Sequence, residues 1–159
     1  MELALRPLRA DELPDYLARG QESYARDMVA HAGISEEAAR VKAEHDWHRL
    51  LPDGLASTGQ YLFALENRST GERVGDLWFA EQAASDFGEQ VAFIYSIEIF
   101  EEFRGRGLGR QAMQVLEDEV RSRGLGRIAL NVFGGNDIAR SLYRSVGYAE
   151  TAVFMSKAL

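Results

Sequence analysis

Seven consecutive residues, Arg104, Gly105, Arg106, Gly107, Leu108, Gly109 and Arg110, combine backbone freedom with positive charge. They follow a β-rich run at 90–100 that carries Val91, Phe93, Ile94, Tyr95, Ile97 and Ile99, and they open a stretch with helical spacing. At a helix start up to four amides lack intrahelical acceptors, and the helix dipole adds partial positive charge. Such a terminus attracts anions. Glycine lets a phosphate approach the main chain with no Cβ in the way, and arginine can hold a phosphate through two parallel hydrogen bonds. A pyrophosphate is the ligand this arrangement suits. The bland alternative is a flexible turn before a helix that merely begins with glycines. Each helical glycine is unfavourable by about 1 kcal/mol relative to alanine, so that alternative explains the alternation poorly. The Gly-Lys-Ser/Thr of a Walker loop is absent, and the dinucleotide pattern G-x-G-x-x-G fails at Arg110.

The elements that must position this segment follow from periodicity. Residues 2–8 alternate briefly and end near Pro7, a short first strand. Asp11 can cap a helix through Leu13, Tyr16, Leu17, Tyr24 and Met28, with Gly20 as a weak point and Gly33 as its end. Ser35 caps a second helix through Val41, Trp47 and Leu50, stopped by Pro52, Asp53 and Gly54. Residues 60–66 and 72–81 then read as a hairpin about a turn at 67–71. After the run at 90–100 comes a helix over 107–123, with Leu108, Ala112, Met113, Val115, Leu116 and Val120 on its apolar side. Gly124 and Gly126 close it. Residues 127–133 read as a buried-type strand, 136–146 as a short helix ended by Gly147, and 148–157 as final strand material. The order β-α-α-β-β-β-α-β-α-β predicts an α/β fold with a mixed sheet. No repeat, low-complexity tract or linker interrupts it, so residues 1–159 read as one domain.

Composition narrows the function. The chain has no cysteine, which excludes disulfides, thiolate metal sites and a catalytic thiol. No apolar run approaches the roughly 18 residues of a membrane span. The start, Met1, Glu2, Leu3, Ala4, Leu5, lacks the pattern of a signal peptide, so a cytoplasmic location is expected. The formal charge of −7 argues against nucleic acid as the main partner, because neutralising phosphates needs clustered basic residues. It is compatible with a cationic acceptor such as an amine, the alternative being a surface that is acidic only for solubility. Residues 76–102 hold seven acids, Asp86 among them, and no Lys or Arg, while residues 104–127 hold six arginines against three acids. An anion site beside an acidic surface is one reading of that asymmetry, and chance clustering is the other.

A second block lies downstream: Leu130, Asn131, Val132, Phe133, two glycines, Asn136, a helical stretch with Ala139, Leu142 and Tyr143, then Gly147 and Tyr148. With the first block it resembles the GNAT acetyltransferases. Arg104, Gly107 and Gly109 fall on that family's R-x-x-G-x-G/A signature, directly after a strand, and the second block follows in the right order. The close resemblance covers residues 95–148. It implies a GNAT fold, a mixed central sheet flanked by about four helices and splayed open at an acetyl-CoA cleft. It further implies an N-acetyltransferase that moves acetyl from acetyl-CoA, its co-substrate, to a primary amine of a small molecule or protein by direct attack in a ternary complex. The pantetheine arm would pair with backbone near Ile97 and Ile99. The pyrophosphate would meet the amides of Arg104, Gly105, Arg106, Gly107, Leu108, Gly109 and Arg110, and Asn136 would contact the cofactor. Tyr143 would be the general acid for the departing thiolate; a phenol of pKa about 10 stays protonated at neutral pH and can return a proton. A tyrosine buried on an amphipathic helix is the alternative. A homodimer joined through the C-terminal strands is compatible with the resemblance. A non-catalytic acyl-CoA-binding sensor or structural protein on the same fold is the competing function, against which an intact Tyr143 argues.

Acylation needs a neutral amine, hence a base near the acetyl group. Glu98, an acid in an otherwise apolar strand, is the first candidate, and strand alternation puts it on the face opposite Ile97 and Ile99. A partly exposed glutamate without a role is the alternative. Some family members carry a base in the next strand, where this chain has Asn131, which cannot serve as one. The first two helices would wall the acceptor pocket with Tyr16, Tyr24, His31, His45, Trp47 and His48. Tyr24 and Trp47 read as core. His45 and His48 share a helical face but lack an assured third ligand, so no metal is expected.

Overall fold

The computed structural model describes residues 1–159 apart from 84–86 and 158; Asp86 therefore lies outside the described residues. A strand β1 (Leu3–Pro7) leads through a 3-10 turn, Ala10–Glu12, into α1 (Leu13–Ala32) and α2 (Glu36–Leu50). Three antiparallel strands follow: β2 (Gln60–Asn67), β3 (Arg73–Ala83) and β4 (Gln90–Ile99). Then come α3 (Leu108–Ser122), β5 (Ile128–Leu130) and α4 (Asp137–Ser145). The sheet order is β1-β2-β3-β4-β5, antiparallel throughout except for the parallel β4–β5 pair. A parallel pair needs a crossover, and α3 supplies it.

Central strands are buried on both faces, so their alternation sorts two cores rather than core from solvent. Phe63, Leu65, Leu77 and Phe79 face α3, meeting Ala112, Met113, Leu116 and Val120. Leu62, Ala64 and Trp78 face the other way, onto Tyr16 and Trp47 of α1 and α2. The helix starts differ from one another. Ser35 Oγ accepts from the Ala38 amide at 3.3 Å, as expected of a cap. Asp11 does not cap α1; it lies in the 3-10 turn, and Glu12 instead accepts from the Arg9 amide at 2.8 Å. Helix α1 runs unbroken through Gly20, and the glycine is there to admit the Trp47 ring: a Cβ would lie 1.9 Å from the indole. Val41 is exposed, and α2 packs through Ala39, Ala43 and Trp47. Among the described residues, no helix is long and apolar enough to cross a membrane.

The C-terminal third departs most from expectation. The strand expected over 127–133 is three residues long and half-buried, and no strand forms among described residues of 148–157. The chain leaving α4 is tied back to that helix: Glu150 pairs with Arg140 at 2.8 Å and with Arg144. Val153, Phe154 and Met155 are exposed, and β5 keeps a free edge among the described residues.

Candidate functional site

β4 and β5 are partners only briefly. Ala92, Phe93 and Ile94 oppose Ile128, Ala129 and Leu130, and there the pairing stops. β4 continues to Ile99 with β3 as its only described neighbour. The parting coincides with a bulge: Trp78 opposes Ser96 while Phe79 opposes Ile94, which leaves Tyr95 as the extra residue. A bulge bends its strand and strengthens the local twist, so β4 turns away from β5 from Tyr95 onward. The result is a cleft with unpaired β4 backbone on one wall. Ile97 and Ile99 pack toward the α3 core, whereas Glu98 lies opposite Asp76 in the ladder and faces α1.

At the end of β4 a short 3-10 turn, Glu101–Phe103, is anchored by the buried Phe103 ring. Gly105 and Gly107 then adopt φ of +75° and +74°, a left-handed conformation that other residues enter at a cost. A Cβ built at either would meet nothing within 4 Å, so these two glycines serve the turn and its open concavity, not protein packing. Gly109 has a different reason: its Cβ would lie 3.0 Å from Leu142, so it lets α4 pack against α3. Gly107 caps α3 without a side-chain bond. Among the described residues no acceptor meets the amides of residues 105–110. These donors, the open space and the helix N-terminus fit a pyrophosphate. The arginines are less free than the sequence implies. Arg104 reaches Glu98 and the Ile99 carbonyl, Arg106 donates to the Glu102 carbonyl at 2.9 Å, and Arg110 donates to Ser145 Oγ at 3.0 Å.

The opposite wall is β5, α4 and the loop between them. Asn136 caps α4, its Oδ1 accepting from the Ala139 amide at 3.1 Å. Tyr143 is half-buried with its ring 5.8 Å from that of Tyr148. Burial, and then the Asp27 carboxylate, hold its phenol above the ordinary pKa, so it is a firmly protonated donor. Asn131 is exposed at the lip of the cleft.

Glu98 is legible in the sequence, but its surroundings are not. Asp76 is buried beneath it, clamped by Arg73 at 2.7 Å and by Arg19 at 2.9 Å, with Arg19 lying 4.5 Å over the Phe100 ring. The rule that flags Glu98, an acid in an apolar strand, would have found Asp76 too. Burial raises the pKa of Glu98; Arg104 lowers it and Asp76 raises it again. On the α1–α2 side, Tyr24, Asp27 and Trp47 line the cleft. Trp47 is buried as expected, and Tyr24 is half-buried with its hydroxyl 3.5 Å from Asp46. His45 and His48 are exposed; His48 Nδ1 lies 2.9 Å from the Glu44 carbonyl.

The Acetyltransferase (GNAT) family profile matches residues 19–148. The chain is 34% identical over its full length, and the relative's, to the Bacillus subtilis uncharacterized N-acetyltransferase YycN. It is 32% identical to YdgE of the same organism, covering 100% of this chain and 99% of that one. The crystal structure of YycN superposes with a TM-score of 0.90, covering 99% of this chain and 98% of the other. A more distant fold relative is AAC(6')-Iy, solved with a bisubstrate analog, CoA-S-monomethyl-acetylneamine. It is 17% identical, with a TM-score of 0.64 over 100% of both chains.

Proposed function

Because the chain belongs to the GNAT family and is an acetyltransferase, we propose that it transfers an acetyl group from acetyl-CoA to a primary amine within a ternary complex. The observation that carries this reading is the conjunction of two features at one end of β4. The strand bends away from β5 at Tyr95, and six amides without described acceptors follow at residues 105–110. The first suits an extended amide-bearing arm laid along Ile97 and Ile99. The second suits its pyrophosphate, with Arg104, Arg106 and Arg110 around it. Leu108 and Gly109 contribute backbone amides.

Acetyl-CoA supplies an activated thioester when bound. The chain's own residues would then manage two protons. Glu98, half-buried and raised in pKa by burial, takes a proton from the acceptor ammonium. Tyr143, held protonated by burial and Asp27, gives a proton to the departing sulfur. Asn136 keeps its amide nitrogen available beside the cleft while its oxygen caps α4. Residues 1–159 act as a single domain, in the cytoplasm, without nucleic acid; the charge of −7 fits an amine acceptor better than a polyanion. A homodimer would cover the free edge of β5 and the exposed Val153, Phe154 and Met155.

The test is thiol release from acetyl-CoA against a panel of primary amines. Amine-dependent release, lost in Tyr143→Phe, supports the reading. Saturable acetyl-CoA binding with no release for any amine would overturn it in favour of a sensor.

A further inference from the structure

One guanidinium serves both halves of this site. Arg104 belongs by position to the glycine turn, yet its Nη2 lies 3.2 Å from Glu98 Oε1 and its Nε donates to the Ile99 carbonyl at 2.9 Å. The Glu98 side chain is 24% exposed and that of Arg104 55%, so the pair spans the rim of the cleft, its carboxylate sheltered and its guanidinium open to a second anion. Other charged groups face Glu98 from every neighbouring element. Asp76 opposes it from β3, Arg19 and Arg26 approach from α1, and the buried Tyr16 hydroxyl lies beside it and Asp76. Arg19 and Arg73 are committed to Asp76, and Arg26 pairs with Glu22. Among the described residues Arg104 is therefore the one cation in hydrogen-bond reach of Glu98.

We propose that Arg104 is a positioning residue shared between two anions, the Glu98 carboxylate and a phosphate seated on residues 105–110, so that filling the phosphate seat draws it from Glu98 and frees that carboxylate as a base. The proposal rests on reading the turn as the acetyl-CoA site and Glu98 as the base. The physical reason is competition. A pyrophosphate offers more charge and a second pair of acceptor oxygens to the same planar fork. Once Arg104 turns to it, burial and the Asp76 charge, which favour the protonated form of Glu98, are opposed only by the weaker pull of Arg19 and Arg26. The base thus strengthens only where an acetyl donor is bound. Before then it is held as an ion pair that binds an amine proton weakly. Cofactor binding should accordingly take up a proton.

The test is calorimetric titration of the full chain with acetyl-CoA at about pH 6, in two non-phosphate buffers of different ionisation enthalpy. The expected result is a buffer-dependent heat corresponding to uptake of part of a proton, abolished in Glu98→Gln and diminished in Arg104→Gln. Arg104→Gln should also move the acid limb of kcat/KM for acetyl-CoA to higher pH, because Glu98 in the free enzyme has lost its pair. Arg104→Lys should restore part of the shift. A merely structural arginine would change stability without moving either readout. Saturable binding with buffer-independent heat, or uptake that persists in Glu98→Gln, overturns the proposal while leaving the cofactor site standing. No saturable heat in a folded protein overturns both.

Discussion

Replacing Gly20 by alanine sets two physical effects of opposite sign against each other. On helix propensity alone, Gly20→Ala inside α1 should stabilise by about 1 kcal/mol. The packing says otherwise. The new Cβ would stand 1.9 Å from Trp47 Cη2 and 2.7 Å from Cζ2 and Cζ3. A relaxed carbon contact is roughly 3.5–4.0 Å, so the indole must retreat by about 2 Å. Trp47 is not free to do so: its ring centroid lies 5.5 Å from that of Tyr16 and 5.1 Å from that of Trp78, both buried. Overpacking of this kind costs about 1–3 kcal/mol, and a rigid aromatic stack belongs at the upper end. The net expectation is a loss of about 2 kcal/mol, or about 4–8 °C in Tm for a chain of this length. Calorimetric unfolding measures the loss, and near-UV circular dichroism reports the displaced indoles. Trp47 also lines the acceptor side of the cleft, so the amine KM should rise more than the acetyl-CoA Kd. An unchanged or raised Tm would refute the packing argument.

Other perturbations address the site. Gly107→Glu adds a side chain at φ +74° and a negative charge in the cradle, so acetyl-CoA binding should be lost to calorimetry in a protein that remains folded. Tyr143→Phe should lower kcat by about 100-fold or more with little change in acetyl-CoA Kd, read by steady-state kinetics beside calorimetry. Asn136→Ala removes the α4 cap and should destabilise by about 1 kcal/mol in denaturant unfolding. The Arg6 guanidinium holds the Glu12 carboxyl at about 2 against an ordinary 4.5. The stability of that pair is fully present above the ordinary value and lost as pH falls through about 2. Arg6→Ala should flatten this acid limb in unfolding titrations.

Much of this was legible in single residues and their spacing. Period-2 alternation over residues 97–99 put Glu98 on the face away from Ile97 and Ile99, and the structure agrees because, past the bulge, a strand's side-chain direction is a local property. The glycine-rich helix start was legible for the same reason, although its three glycines have separate causes. Gly105 and Gly107 answer to backbone conformation, and Gly109 to contact with Leu142, which no local pattern reveals. The bulge at Tyr95 was invisible because it exists only as a mismatch between the registers of β3 and β4. The buried Asp76 cluster depends on Arg19, far away in sequence. Residues 148–157 have strand composition, but strands need partners, and the Glu150 pairs with Arg140 and Arg144 keep that segment at α4.

Where acetyl-CoA sits decides the function of the cleft, and amide chemical-shift mapping asks that question directly. With the 17.8 kDa chain isotopically labelled, stepwise addition of acetyl-CoA should give saturable shifts. The largest should fall on the amides of residues 105–110 and on β4 from Tyr95 to Ile99, with smaller changes at Asn136 and Tyr143. Saturable shifts centred elsewhere, or none in a folded protein, would contradict the cleft assigned here.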